Sequence, residues 1–100
     1  MKSYRVFDEG KILTGSAEAI LSQIKNKTST IDSDIEGMSL DQYVQALIDN
    51  AGLFLPEPVV QDIRLNTIGT RFDQALSLLS AMPASNARIV SVTEEESLAV

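Results

Sequence analysis

A capped amphipathic segment over residues 39–52 is the feature of this sequence that most constrains the fold. Ser39 and Gln42 have the spacing of a capping box, in which each side chain satisfies an amide donor at the start of a helix. Gly52 stands where such a helix would stop. Apolar residues lie between them at helical spacing: Leu40, Tyr43, Val44, Leu47, Ile48 and Ala51. The segment therefore predicts a helix with one apolar face, which has to pack on a second layer of structure.

A β-hairpin is predicted near the amino-terminal end. Residues 4–7 and 11–14 are rich in residue types that favour strands, and the short sequence Asp8, Glu9, Gly10 separates them. Gly10 can adopt the positive φ that a tight hairpin turn requires. The two segments are therefore expected to pair with each other.

A first helix and a loop follow the hairpin. Ser16 is placed to cap a helix over about residues 17–27, whose apolar residues again have helical spacing. Residues 28–38 are polar and show neither helical nor strand periodicity, so we predict a loop there. Further along, Pro56 and Pro58 forbid a continuous helix or a central strand, and the chain must bend or run extended at that point.

The last third of the chain contains one ambiguous segment and two clearer ones. Residues 59–65 fit either a helical face or an alternating strand, and because they are rich in β-branched residues we interpret them as a strand. Thr70, with Asp73 three residues later, is placed to cap a further helix that ends before Pro83. Residues 87–92 have the composition of a final strand.

These elements predict an α+β fold. An amino-terminal β-hairpin and one or two further strands form a small sheet, and three amphipathic helices pack on one face of it. A length of 100 residues suits one compact domain, which we place at residues 1–93. Residues 94–100 begin with three consecutive glutamates and show no core pattern, so we expect an acidic, flexible C-terminal tail.

The charge of the chain argues against two classes of ligand. Fourteen acidic and eight basic residues give a net charge of −6, which repels phosphate backbones and anionic lipid surfaces. The basic residues are scattered singly, and no apolar run is long enough to cross a membrane or to act as a signal peptide. We expect neither direct nucleic-acid binding nor membrane binding, and a cytoplasmic location.

The absence of histidine and cysteine restricts the chemistry. It removes Ser-His-Asp catalysis, thiol nucleophiles, disulfides, and imidazole or thiolate metal ligands. The five glycines are isolated, so they do not form a phosphate-binding loop. We predict that the protein is not an enzyme and that it has no catalytic residues, no cofactor and no metal site.

Carboxylates at alternate positions before Gly37 form the one metal-like pattern. Asp32, Asp34 and Glu36 resemble the first half of an EF-hand calcium loop. The resemblance ends there, because the position of the closing bidentate glutamate is occupied by Tyr43, on the apolar face of the predicted helix. We predict a solvated acidic loop and retain the three acids as candidate partner-binding residues.

A second group of candidate partner-binding residues follows the capped helix. Leu53, Phe54 and Leu55 are expected to close the core. The alternative is that the segment is too apolar for all three side chains to turn inward beside the prolines, which would leave an exposed docking patch. The remaining aromatic residues are expected in the core: Tyr4, Phe7, Tyr43 and Phe72. Residues 98–100 have the hydrophobic-x-hydrophobic form that carboxylate-binding grooves capture.

We interpret the chain as a small, non-enzymatic protein-interaction or regulatory domain, and the sequence does not identify its protein partner. The first alternative is an acidic inhibitor or decoy, of phage or mobile-element origin, that occupies the nucleic-acid-binding surface of another protein. An enzyme of unrecognised type is the last alternative. An exposed sheet edge would also permit a homo-oligomer.

Overall fold

The fold is α+β, as the sequence predicts. A computed structural model describes residues 2–29, 33–67, 69–83 and 85–94. Residues 95–100, most of the predicted tail, lie outside the described residues. In chain order the elements are β1 (Lys2–Asp8), β2 (Lys11–Gly15), α1 (Ala17–Ser29), α2 (Ser33–Glu36), α3 (Leu40–Phe54), α4 (Glu57–Asn66), α5 (Arg71–Ala81) and β3 (Arg88–Glu94).

The sheet is antiparallel, with strand order β2-β1-β3. The predicted hairpin is confirmed: Asp8 pairs with Lys11, and the two residues between them have positive φ, 48° at Glu9 and 82° at Gly10. Two positive values are typical of the tight turns that match strand twist, and Gly10 adopts one without steric cost. The other side of β1 pairs with β3, which joins the two ends of the described chain in one sheet.

The helices form two layers over one face of the sheet. Helix α1 lies against β1 and β2, α5 lies against β3, and α3 packs across α1 and α5. The three predicted amphipathic helices correspond to α1, α3 and α5, and the structure adds α2 and α4 to them. Among the described residues, the main core contains twelve buried ones: Tyr4, Val6, Ala17, Ile20, Leu21, Ile24, Tyr43, Val44, Ala75, Leu76, Leu79 and Ala87.

The predicted helix caps are present. At the start of α3, the Gln42 amide donates to Ser39 Oγ at 3.2 Å, and the Ser39 amide donates to Gln42 Oε1 at 2.9 Å. At the start of α1, the Ala19 amide donates to Ser16 Oγ at 3.2 Å. The predicted stop at Gly52 is wrong, because α3 continues through this exposed glycine to Phe54.

Residues 59–65 are helical, so their interpretation as a strand is wrong. They belong to α4, which begins at Glu57 and has Pro58 in its first turn, where a helix needs no backbone N–H donor. Val60 is buried and the β-branched residues contribute to one helix face. The predicted loop over residues 28–38 also contains helix, the end of α1 and the short α2.

Two further details differ from expectation. Phe7 faces solvent rather than the core, because it alternates with the buried Val6 and Asp8 along β1 and the described helices cover only one sheet face. The last strand runs past residue 92 and includes Glu94. Among the described residues, no helix is long and apolar enough to cross a membrane.

Candidate functional site

The three apolar residues at the end of α3 divide into an exposed pair and a buried residue. Leu53 and Phe54 are 77% and 51% exposed, whereas Leu55 is only 8% exposed. The Leu55 amide donates to the Ala51 carbonyl at 3.0 Å as the helix ends. Leu55 then completes a second buried cluster, with Ala51, Val60, Leu78 and Met82. Core closure therefore describes Leu55, and only Leu53 and Phe54 are available at the surface.

Phe54 borders an apolar cavity between α2 and α3. Its volume is about 180 Å³, and it is lined by Ile35, Met38, Tyr43, Ala46, Leu47, Asn50, Phe54 and Met82. Leu47, Asn50 and Phe54 are three or four residues apart in α3, so they share one helix face. The cavity therefore lies along one face of α3 that the neighbouring elements leave partly open.

A second cavity adjoins the first on the other side of Phe54. Its volume is about 280 Å³, and it is lined by Asp8, Glu9, Ile24, Lys27, Tyr43, Phe54, Leu79, Met82, Ser85, Asn86 and Ala87. Tyr43, Phe54 and Met82 contribute to both cavities. We name the two together the Phe54 groove. It runs from α2, past Phe54, to the β1–β2 turn.

The end of the Phe54 groove at the β1–β2 turn is polar. Lys27, in the last turn of α1, places its Nζ 3.0 Å from Asp8 Oδ2 and 2.5 Å from Glu9 Oε2. Asn86 Nδ2 donates to Glu9 Oε1 at 3.1 Å. Asp8 is largely buried at this point, and Glu9 is exposed. These contacts join the hairpin turn to α1 and to the residues that precede β3.

The pKa values at the polar end reflect these contacts. The hydrogen bond to Lys27, followed by the one from Asn86, lowers the pKa of Glu9 below its ordinary value. The hydrogen bonds to Glu9 and then to Asp8 raise the pKa of Lys27. Both shifts favour the charged forms of Glu9 and Lys27, and this end of the groove holds two acidic side chains against one basic one.

Two of the three predicted acidic residues lie near the other end of the groove. Asp34 and Glu36 are exposed and flank Ile35, which lines the cavity between α2 and α3. Asp32 lies outside the described residues. Tyr43 is buried, in agreement with its predicted position on the apolar face of α3. Within the described ranges, no group of three or more acidic side chains is placed to hold a metal ion.

Most of the groove could not be recognised from the sequence. The sequence indicates Phe54 as a partner-binding residue, but other residues that line the groove come from distant segments of the chain: Glu9, Lys27, Ile35, Met38, Met82 and Asn86. Met38 and Met82 carry no local signal beyond being apolar. Glu9 has a positive φ, which residues other than glycine, asparagine and aspartate seldom adopt, and it is the one non-glycine residue with a positive φ in the described part of the chain.

The groove presents apolar side chains along α3, and acidic side chains lie near both of its ends. Its walls are side chains of varied chemistry, and among its described lining residues the two carboxylates are both engaged by Lys27. Comparisons of the chain with protein-family models, with curated proteins and with solved structures found no match.

Proposed function

We propose that this protein is a non-enzymatic interaction module and that its Phe54 groove holds an apolar segment of a partner protein. The observation that carries the proposal is the half-exposed Phe54 ring between two adjoining cavities of about 180 and 280 Å³. Exposed aromatic side chains beside apolar cavities are typical anchors of protein interfaces. The groove follows one face of α3, which suits an extended or helical peptide segment.

The charges around the groove favour a segment that is basic as well as apolar. Asp34 and Glu36 flank it at α2, and Asp8 with Glu9 outnumber Lys27 at the opposite end. A net charge of −6 adds a long-range attraction for a basic partner and a repulsion for nucleic acid. We therefore propose a protein partner with apolar residues between basic ones.

The test is to capture the partner from the native host and measure its affinity for purified variants. Phe54→Ala removes the ring that contributes to both cavities, and we expect at least a tenfold weaker Kd, or about 1.4 kcal/mol. Leu65→Ala is the matched control, because Leu65 is an even more exposed apolar residue on α4 and does not line the groove. The control should bind like the unaltered protein.

The acidic-decoy alternative predicts a different response of binding to salt and to the two kinds of variant. In a decoy, charge rather than apolar contact holds the partner, so binding should collapse as salt screens the field. Replacing Asp34 and Glu36, together with Asp32, by their amides would then abolish binding while Phe54→Ala had no effect. That result would contradict the groove proposal. In the groove proposal, moderate salt mainly slows association and Phe54→Ala mainly speeds dissociation.

A further inference from the structure

Strand β3 is an open edge of the sheet. It pairs with β1 on one side, and among the described residues no strand lies on its other side. Between Arg88 and Glu94 its residues are Ile89, Val90, Ser91, Val92 and Thr93, without a charge or a proline. Lysine, proline, short length and β-bulges are the usual protections of an exposed edge; β3, at seven residues, lacks the first three and has one register shift in its pairing with β1.

The apolar side chains of this edge are incompletely covered. Val90 is 56% exposed and Val92 is 47% exposed, although Val92 pairs with the buried Tyr4 of the central strand. The strand therefore presents unpaired backbone groups and two exposed β-branched side chains along the same edge. An added strand would hydrogen-bond these backbone groups and cover the two valine side chains.

The charges of β3 indicate which strand fits. A basic residue, Arg88, stands at one end and an acidic residue, Glu94, stands at the other. If β3 pairs antiparallel with a second copy of itself, Arg88 of each chain lies near Glu94 of the other, and the uncharged residues meet in between. We propose that β3 pairs in this way, so that two copies of the protein form one continuous sheet.

The opposite edge of the sheet lacks this pairing of opposite charges on self-association. Strand β2 has five residues with Lys11 at one end and Gly15 at the other, so its self-pairing brings no opposite charges together. Pairing of β3 with β2 of the next copy would extend without limit, because it joins two different edges. The register shift beside Val90 adds local twist and shortens the regular part of β3, so the dimer is expected to be weak and reversible.

The first test measures molar mass by analytical ultracentrifugation over a protein concentration range of about 10 μM to about 1 mM. We expect the mass to rise from the 10.9 kDa of one chain to twice that value and no further. Val92→Lys should weaken dimerisation by at least about tenfold, because an edge lysine opposes strand addition. Ile12→Lys is the matched control, since Ile12 is an exposed β-branched residue on the other edge, and it should leave dimerisation unchanged.

The second test uses the charges. Arg88→Glu gives a chain with two acids on β3, and Glu94→Arg gives a chain with two bases, so each variant should remain monomeric by itself. Mixed in equal amounts, they should form a heterodimer, because both cross-chain contacts are then attractive. Glu94 also pairs with Lys2 in its own sheet, so the unfolding midpoint of each variant is measured first. If the two substitutions only destabilised the fold, mixing the variants would not produce dimers.

Three outcomes would overturn the proposal. One is a mass of 10.9 kDa throughout the concentration range. Another is open-ended growth that Ile12→Lys abolishes, which would show β3 pairing with β2. The third is a mixture of the charge variants that stays monomeric. Phe54→Ala should leave the dimer intact, so failure of the dimer and failure of the groove proposal are separate results.

Discussion

At the scale of single residues, Asp73 connects the first turn of α5 to the central strand. Its Oδ1 accepts a hydrogen bond from the Tyr4 hydroxyl at 2.6 Å, and its Oδ2 accepts from the Thr70 amide at 2.7 Å. The contact between Thr70 and Asp73 follows from capping-box spacing and is predictable from sequence. The contact with Tyr4 joins residues 69 positions apart, and no local pattern predicts it.

Gly69 is required beside this carboxylate, and its replacement is the first stability prediction. Its φ is 137°, and a Cβ added there would overlap the Asp73 carboxylate. Gly69→Ala should therefore lower the free energy of unfolding by about 1–3 kcal/mol in urea denaturation. The control is Gly52→Ala, within α3 and with open space around it, which should stabilise by about 0.5–1 kcal/mol. Equal effects of the two variants would contradict this account.

At the scale of elements, α4 shows where sequence reasoning fails. Its β-branched residues favour a strand by composition, but such preferences are small compared with the burial of Val60 against α5. The prolines interrupt the chain between α3 and α4, as predicted, but Pro58 also supports a helix from its place in the first turn of α4. By contrast, the starts of α3 and α5 were predictable, because capping depends on neighbours three residues apart.

Helix α3 holds the two buried clusters together, and Leu47 is the residue that tests this role. Leu47 is partly buried, packs against both clusters and also lines the Phe54 groove. Leu47→Ala should lower the free energy of unfolding by about 2–3 kcal/mol, near the low end for a large-to-small change because the site is not fully enclosed. A loss below about 0.5 kcal/mol in urea denaturation would show that α3 does not join the clusters.

At the scale of the whole molecule, the missing histidine and cysteine leave few groups that titrate near neutrality. The lowered pKa of Glu9 contributes stability that is present above its ordinary value of 4.5 and lost as the pH falls through the lowered pKa. Burial, and then the hydrogen bond to Asp73, raise the pKa of Tyr4, and burial raises that of Tyr43. The stability that these two tyrosines contribute is present below their ordinary pKa of 10.0 and is lost as the pH rises above it.

The free energy of unfolding should therefore stay nearly constant from about pH 6 to about pH 9 and fall above pH 10. Urea denaturation across this range measures it, and tyrosinate absorbance should show that both phenols ionise at a pH above the ordinary value of 10.0. Tyr4→Phe should reduce the alkaline loss. A marked step in stability between about pH 6 and about pH 8 would contradict the prediction.

The strand order has a consequence for the growing chain. Strand β1 is synthesised first, and β2 can pair with it as soon as the hairpin turn has emerged. The other edge of β1 stays unpaired until β3 has been synthesised. In the folded sheet, Glu94 of β3 pairs with Lys2, at the opposite end of the described chain. Throughout translation of the five helices described between β2 and β3, the central strand thus carries one unprotected edge, which closes only after β3 has left the ribosome.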